Sequence, residues 1–295
     1  MTLKKYSGVV VPMVTPLTGE LKIDVESVNK IMALFARNNI SPLVLGTTGE
    51  SCSIPREECE IIIEAAVRAK SGNQVIYAGL VGNSVAELIE RAKCYAGLGA
   101  DVIVSTLPSY YALTPVQMEK YYTRLADASA CPVMMYNIRA TTNMSIPPEV
   151  VENMSKHPNI AGLKDSERNE ERMETLISMY RDRSDFSFFC GCAALGLQAM
   201  LSGADGIVPS SGNIVPEMYG IFYDAFLRQD YVLARQMQEN TDNAGKVYQQ
   251  GFTLGESLSA LKILMERRGF CQRYMMPPLT ELQPESVSEL QLNII

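Results

Sequence analysis

Lys164 closes the apolar run Ile160-Ala161-Gly162-Leu163-Lys164, and the polar stretch Asp165-Ser166-Glu167 follows it. Such a run predicts a buried strand, so the amine is carried to the edge of an apolar core. A charged lysine there bears a large desolvation cost unless it is paired. The chemistry that suits the position is nucleophilic, since an unprotonated amine attacks a carbonyl carbon and forms a Schiff base. That reaction needs a proton carrier, because water must leave the carbinolamine and protons must move on and off the substrate. Tyr136, at the end of the preceding apolar run, suits the role, since a phenol both donates and accepts. The anionic end of a 2-oxo acid needs donors of its own. Gly46-Thr47-Thr48-Gly49 supplies two hydroxyls and a glycine-opened run of backbone N–H groups.

Each residue alone has an ordinary reading. A lysine at a strand end is often solvated, two threonines between glycines often make a turn, and a lone tyrosine is often a core aromatic. Three chemically matched features at the tips of three predicted strands favour the functional reading. The single histidine, His157, falls in a helix-to-strand connection, so histidine acid–base chemistry and histidine metal sites are not expected. The seven cysteines are odd in number and scattered, which argues against a disulfide framework. Cys190-Gly191-Cys192 lacks the two-residue spacer of a redox or metal motif and reads as a buried strand end.

The elements that carry these residues alternate regularly. Predicted strands cover residues 8–14, 42–46, 74–79, 101–106, 132–137, 160–164, 186–190 and 206–209. Amphipathic helical patterns at 25–38, 56–70, 85–97, 115–128, 147–156 and 168–181 separate them. Eight strands alternating with helices predict a parallel sheet with right-handed crossovers, and their number predicts a closed (β/α)8 TIM barrel. No GxGxxG follows an early strand, which removes the reason for a dinucleotide-binding sheet. Helices at 216–227, 231–248 and 257–268, and a short one after Pro284, predict a C-terminal helical appendage. The domain division expected is a barrel over 1–225 and helices packed on it over 226–295. Functional residues of such barrels gather at the C-terminal strand ends, where Thr47, Thr48, Tyr110, Tyr136, Lys164 and Ser210 all fall.

Composition narrows the function further. A net charge of −7 argues against a general nucleic-acid binder, and 47% hydrophobic with 20% charged residues is an ordinary globular balance. No apolar run reaches membrane-spanning length, and the first residues lack a signal-peptide pattern, so a cytoplasmic location without membrane contact is expected.

With these residues in place, the chain resembles the dihydrodipicolinate synthase / N-acetylneuraminate lyase family of Schiff-base aldolases along nearly its whole length. The resemblance is carried by Val10-Val11-Pro12-Met13-Val14-Thr15-Pro16, Gly46-Thr47-Thr48-Gly49-Glu50, Tyr136-Asn137, Gly162-Leu163-Lys164-Asp165 and Gly203-Ala204-Asp205-Gly206. It implies that Lys164 is the imine lysine and Tyr136 the proton relay. It implies that Thr47 and Thr48 bind the substrate carboxylate, with Thr48 joining the relay. Tyr110, or alternatively Tyr111, would complete that relay from a neighbouring subunit of a homotetramer built as a dimer of dimers. Gly49, Thr141, Ser166, Gly191, Val208 and Ser210 are the remaining expected substrate-binding positions. No metal or organic cofactor is implied. The partners are small molecules, pyruvate or another 2-oxo acid together with an aldehyde.

Departures from the family pattern bear on the substrate. The synthases carry an arginine where this chain has Thr141, while Arg139 lies two residues earlier. A hydroxyl in place of a guanidinium favours a neutral polyol over a second carboxylate. Asn83 and Glu87 fit the lysine-feedback pattern, but Ser109 stands where a tyrosine is expected. The sialic-acid lyases place acidic residues after the glycine matched by Gly191, and Cys192-Ala193-Ala194 stands there instead. The preferred expectation is an aldolase releasing pyruvate from a 2-keto-3-deoxy sugar acid or related hydroxy-keto acid. The condensation of pyruvate with aspartate semialdehyde is the alternative, and a keto-acid-binding barrel without turnover is a third. A dehydratase using the same imine is not separated from a lyase by these residues.

Overall fold

Parallel strands covered on both faces require apolar side chains throughout, and the short runs in this sequence meet that requirement. The computed structural model describes residues 4–290. Its strands are β1 (Gly8–Pro12), β2 (Ile40–Val44), β3 (Tyr77–Leu80), β4 (Val102–Thr106), β5 (Val133–Asn137), β6 (Ile160–Asp165), β7 (Ser187–Cys190) and β8 (Gly206–Ile207). They follow one another in sequence order around a closed barrel. The ladders from β3 through β8, and from β8 back to β1, are parallel.

Between the strands lie α1 (Val25–Arg37), α2 (Arg56–Ala69), α3 (Val85–Gly97), α4 (Pro115–Ala128), α5 (Arg139–Thr142), α6 (Pro148–Met154), α7 (Glu170–Tyr180) and α8 (Gly196–Ser202). Beyond β8 come α9 (Pro216–Leu227), α10 (Tyr231–Gln249), α11 (Leu254–Arg267) and α12 (Pro284–Glu289). The fold is a TIM barrel followed by C-terminal helices. Among the described residues no helix is long and apolar enough to cross a membrane.

Local chemistry explains the boundaries. Asp24 caps α1 by accepting from the Ser27 amide, and Thr114 with Gln117 makes a reciprocal capping box before Pro115 opens α4. α11 begins three residues earlier than its apolar pattern, because Thr253 and Glu256 form a second capping box around Gly255. β2 begins at Ile40, ahead of Pro42, which the sequence pattern takes as the start of the strand. α8 escapes a periodicity reading altogether, since it is seven residues long, opens on Gly196 and lacks a side-chain cap. It still buries Leu197, Ala199 and Met200.

By compactness the chain divides into residues up to Val10 with Val75–Pro209, and Val11–Gln74 with the residues from Ser210 onward. In the first unit the Lys4 ammonium donates to the Tyr180 and Phe186 carbonyls and pairs with Asp205 at 3.0 Å. The same unit contains the register shift that matters most for chemistry. Val133 faces Ile160, but Met134 faces Gly162, so Ala161 is an extra residue on β6. From there Tyr136 stands opposite Lys164. Without the extra residue Tyr136 would face Leu163, and the amine would turn to the other side of the sheet.

Gly162 is required at this point, because a Cβ there would lie 2.3 Å from the Ser187 carbonyl oxygen on β7. Gly162→Ala is expected to cost ~1–3 kcal/mol through that overlap. Thermal unfolding of the variant checks this: the midpoint should fall by several degrees, and an unchanged midpoint would contradict the packing described.

Candidate active site

Lys164 and Tyr136 form the centre of the first unit's polar chemistry. Both are 4% exposed, and the Lys164 Nζ lies 3.7 Å from the centroid of the Tyr136 ring. On the other side of Lys164, β7 places Phe189 in the paired position. The Phe189 ring itself is directed to Tyr77, at 6.1 Å between centroids, so Tyr136 is the aromatic ring that meets the amine. Among the described residues no carboxylate comes within ion-pair distance of it.

A carboxylate does follow immediately in the chain, and the fold diverts it. Asp165 accepts from Arg172 Nε at 2.8 Å, Asn137 Nδ2 at 3.1 Å and the Glu167 amide at 2.8 Å. Burial pushes the Asp165 carboxyl up, against the opposing pull of the Arg172 guanidinium and these hydrogen bonds. Glu167 is tied to the same cluster, accepting from Ser145 Oγ at 2.6 Å and Asn137 Nδ2 at 3.0 Å. Burial raises its affinity for a proton, but the Ser145 and Asn137 hydrogen bonds and the charge of Arg172 outweigh that and hold it below the usual value. The Asn137 side chain completes the knot by accepting the Ile146 amide at 3.0 Å.

Beyond the ends of β5 and β6 opens a pocket of about 600 Å³, lined by Arg139, Ala140, Asn143, Ser166, Glu167, Arg168 and Asn169. Arg139 lies 3.8 Å from Glu167 Oε1. Thr141 turns away from this wall, its hydroxyl directed to the Ile138 carbonyl at 3.4 Å. Ser166 and Gly191 abut, since a Cβ on Gly191 would fall on the Ser166 hydroxyl. Their backbones are tied through the Gly191 amide to the Asp165 carbonyl at 2.6 Å. Val208 follows β8 with its amide on the Cys190 carbonyl at 2.8 Å. Cys190 itself is an inert strand end, its thiol pushed up to about 12 by burial.

The second unit holds the threonine turn. Thr47–Gly49 form one turn of 3-10 helix, with Thr48 and Gly49 buried. Gly49 is pressed so closely against the chain that a Cβ would lie 2.9 Å from the Met13 carbonyl, and Thr15 Oγ1 donates to the Gly49 carbonyl at 2.6 Å. Leu45 and Glu50, on either side of the Gly46–Gly49 segment, both adopt positive φ of 57°. Ser210 lies in this unit too, and its hydroxyl is engaged by Tyr248 at 2.6 Å and Gln249 at 3.3 Å.

Tyr110 and Tyr111 stand apart from Lys164, 78% and 74% exposed, with their rings edge to face at 4.9 Å. Asn83 Oδ1 holds their loop by accepting the Ser109 and Tyr110 amides. His157 pairs with Asp127 at 3.1 Å, a surface contact. Sequence reasoning missed the Asn137–Asp165–Glu167–Arg172 knot. Charged residues in a loop gave no signal for it.

Comparison with known proteins identifies the family. The sequence pattern of the "Dihydrodipicolinate synthetase family" matches residues 5–294. A 4-hydroxy-tetrahydrodipicolinate synthase of Leptospira biflexa is 30% identical, over 96% of this chain and 95% of its own. A probable 2-dehydro-3-deoxy-D-pentonate aldolase of Escherichia coli K12 is 26% identical, over 98% and 97%. Among solved structures, a dihydrodipicolinic acid synthase family protein from E. coli K12 in complex with pyruvate superposes with a TM-score of 0.90. It is 22% identical and covers 97% of this chain and 96% of its own. The chain belongs to the dihydrodipicolinate synthetase family and is a lyase of the aldolase kind.

Proposed function

We propose that this lyase works through an imine on Lys164, releasing pyruvate from a 2-keto-3-deoxy sugar acid or related hydroxy-keto acid. The observation that carries the imine is the buried Lys164 amine over the Tyr136 ring, with no carboxylate among the described residues to lock it. Nζ adds to the C2 ketone to give a carbinolamine, and water leaves as the imine forms. Removal of the C4 hydroxyl proton then breaks the C3–C4 bond. Its electron pair flows into the imine to give an enamine, and the aldehyde departs. Protonation at C3 and hydrolysis return pyruvate and the free amine. Tyr136 carries the protons to and from the carbinolamine and the C4 hydroxyl. The Thr47–Gly49 turn takes the carboxylate of the keto acid, with Thr48 passing protons onward. Ser166, Gly191, Val208 and Ser210 are assigned to the rest of the substrate, whereas Thr141, expected there from the sequence, directs its hydroxyl to the Ile138 carbonyl instead.

The wall of the pocket beyond Lys164 supports the sugar-acid reading. It mixes the ionised Glu167 with Arg139, Asn143, Asn169 and Ser166. Hydroxyls donate and accept, so a polyol chain satisfies such a wall, whereas a second carboxylate would meet Glu167. The condensation with aspartate semialdehyde is the second reading, and the two guanidiniums of Arg139 and Arg168 on that wall favour it. The exposed Tyr110–Tyr111 pair supports a homotetramer in which Tyr110 of one copy completes the relay of another. The protein acts in the cytoplasm, without metal or organic cofactor.

Borohydride with pyruvate should add the reduced pyruvyl mass to the peptide carrying Lys164. Labelling elsewhere, or none, would sink the imine. Tyr136→Phe should still be labelled yet turn over about 10²–10⁴-fold more slowly; an unchanged rate would remove it from the relay. Steady-state kinetics of Glu167→Gln separates the substrate readings. KM for a 2-keto-3-deoxy sugar acid should rise about tenfold, as a charged hydrogen bond is lost. Improved use of aspartate semialdehyde with no loss on sugar acids would instead favour the synthase.

A further inference from the structure

A buried ion pair in the second unit has no part in the chemistry so far. Lys262, on α11, is 1% exposed, and its Nζ lies 2.5 Å from Glu50 Oε1. The ammonium also donates to the Tyr274 carbonyl at 2.6 Å, and Glu50 Oε2 accepts the Met276 amide at 2.8 Å. α11 is covered along most of its length, with every residue from Ser257 to Met265 buried. A pair this deep is an expensive way to gain stability, because desolvating two charges offsets most of their attraction.

What the pair touches points to its use. Glu50 is the residue that ends the Thr47–Gly49 turn, and it does so in the left-handed region, at φ 57°. That conformation costs a non-glycine residue roughly 1–2 kcal/mol and persists only where the surroundings enforce it. Leu45 imposes the same demand at the start of the turn. The turn is thus bracketed by two residues the chain would not place there unaided. On its inner side Thr15 fixes the Gly49 carbonyl, and on the far side the only charged partner of Glu50 among the described residues is Lys262.

We infer that Glu50 and Lys262 are positioning residues: through their ion pair, helix α11 and the 274–276 segment hold the Thr47–Gly49 turn in the shape that receives the keto-acid carboxylate. The inference rests on the carboxylate role given to that turn above. Neither side chain meets substrate. Their effect falls on keto-acid affinity, leaving the Lys164 amine on its own strand unaltered.

The test uses the full-length protein and Glu50→Gln/Lys262→Met, which removes both charges at nearly constant volume, beside Glu50→Gln alone. Neutralising both partners of a buried pair is commonly tolerated by the fold. Circular dichroism and thermal unfolding report folding, and borohydride labelling at graded pyruvate reports affinity. In the folded variants the pyruvate concentration for half-labelling should rise at least tenfold, while saturating pyruvate still labels Lys164. Unchanged half-labelling in a folded variant overturns the inference. So does a failure of both variants to fold, which would make the pair a device of stability alone. Absence of Lys164 labelling in the parent protein would defeat the imine itself, a separate outcome.

Discussion

One extra residue in a strand sets the pairing of Tyr136 with Lys164. Ala161 shifts the β5–β6 ladder so that Tyr136 stands abreast of Lys164. Side chains alternate faces along a strand, so a one-residue slip would send the phenol and the amine to opposite sides of the sheet. The shift is accommodated on the β7 flank. Gly162 lets β7 approach closer than any side chain would permit. The placing of the Lys164 amine over the Tyr136 ring thus depends on backbone register earlier in the strand.

Charge is managed around that amine rather than beside it. Asp165 is the nearest carboxylate in sequence, and a contact with Lys164 would hold the amine as an ammonium. Arg172, Asn137 and the Glu167 amide instead claim both of its oxygens. The same knot fixes Glu167, which then faces the outer pocket as an ionised acceptor. The second unit uses the same device with another purpose. There Lys262 and Glu50 neutralise each other in the dry interior and anchor a turn that is strained at both ends. In both units buried charges are paired with one another and with backbone amides.

Much of the barrel was legible, since continuous apolar runs and amphipathic spacing survive burial on both faces of a parallel sheet. Lys164, Tyr136 and the Gly46–Gly49 segment were legible for a related reason: polar residues that interrupt an apolar pattern at a strand end stand out. Register was not, because the Ala161 insertion leaves the hydrophobic run unbroken. Nor was the depth of Lys262, whose helix carries enough polar residues to suggest a solvated face. The outer pocket was half legible. Arg139 and Thr141 drew attention as departures from the family pattern, but the direction of the Thr141 hydroxyl, back to Ile138, depends on a single turn of helix at α5. The hold of Ser145 and Asn137 on Glu167 joins residues distant in the chain and leaves no local sequence pattern.

The family relationship secures the class of enzyme, and the arrangement around β5, β6 and β7 supplies a physical account of how this chain performs it. A crystal structure of the protein soaked with pyruvate addresses that account most directly. Continuous density should join Lys164 Nζ to the former ketone carbon, with the Tyr136 hydroxyl in hydrogen-bonding reach of the adduct. Pyruvate bound away from an unmodified Lys164, or an adduct from which the phenol is turned aside, would contradict it.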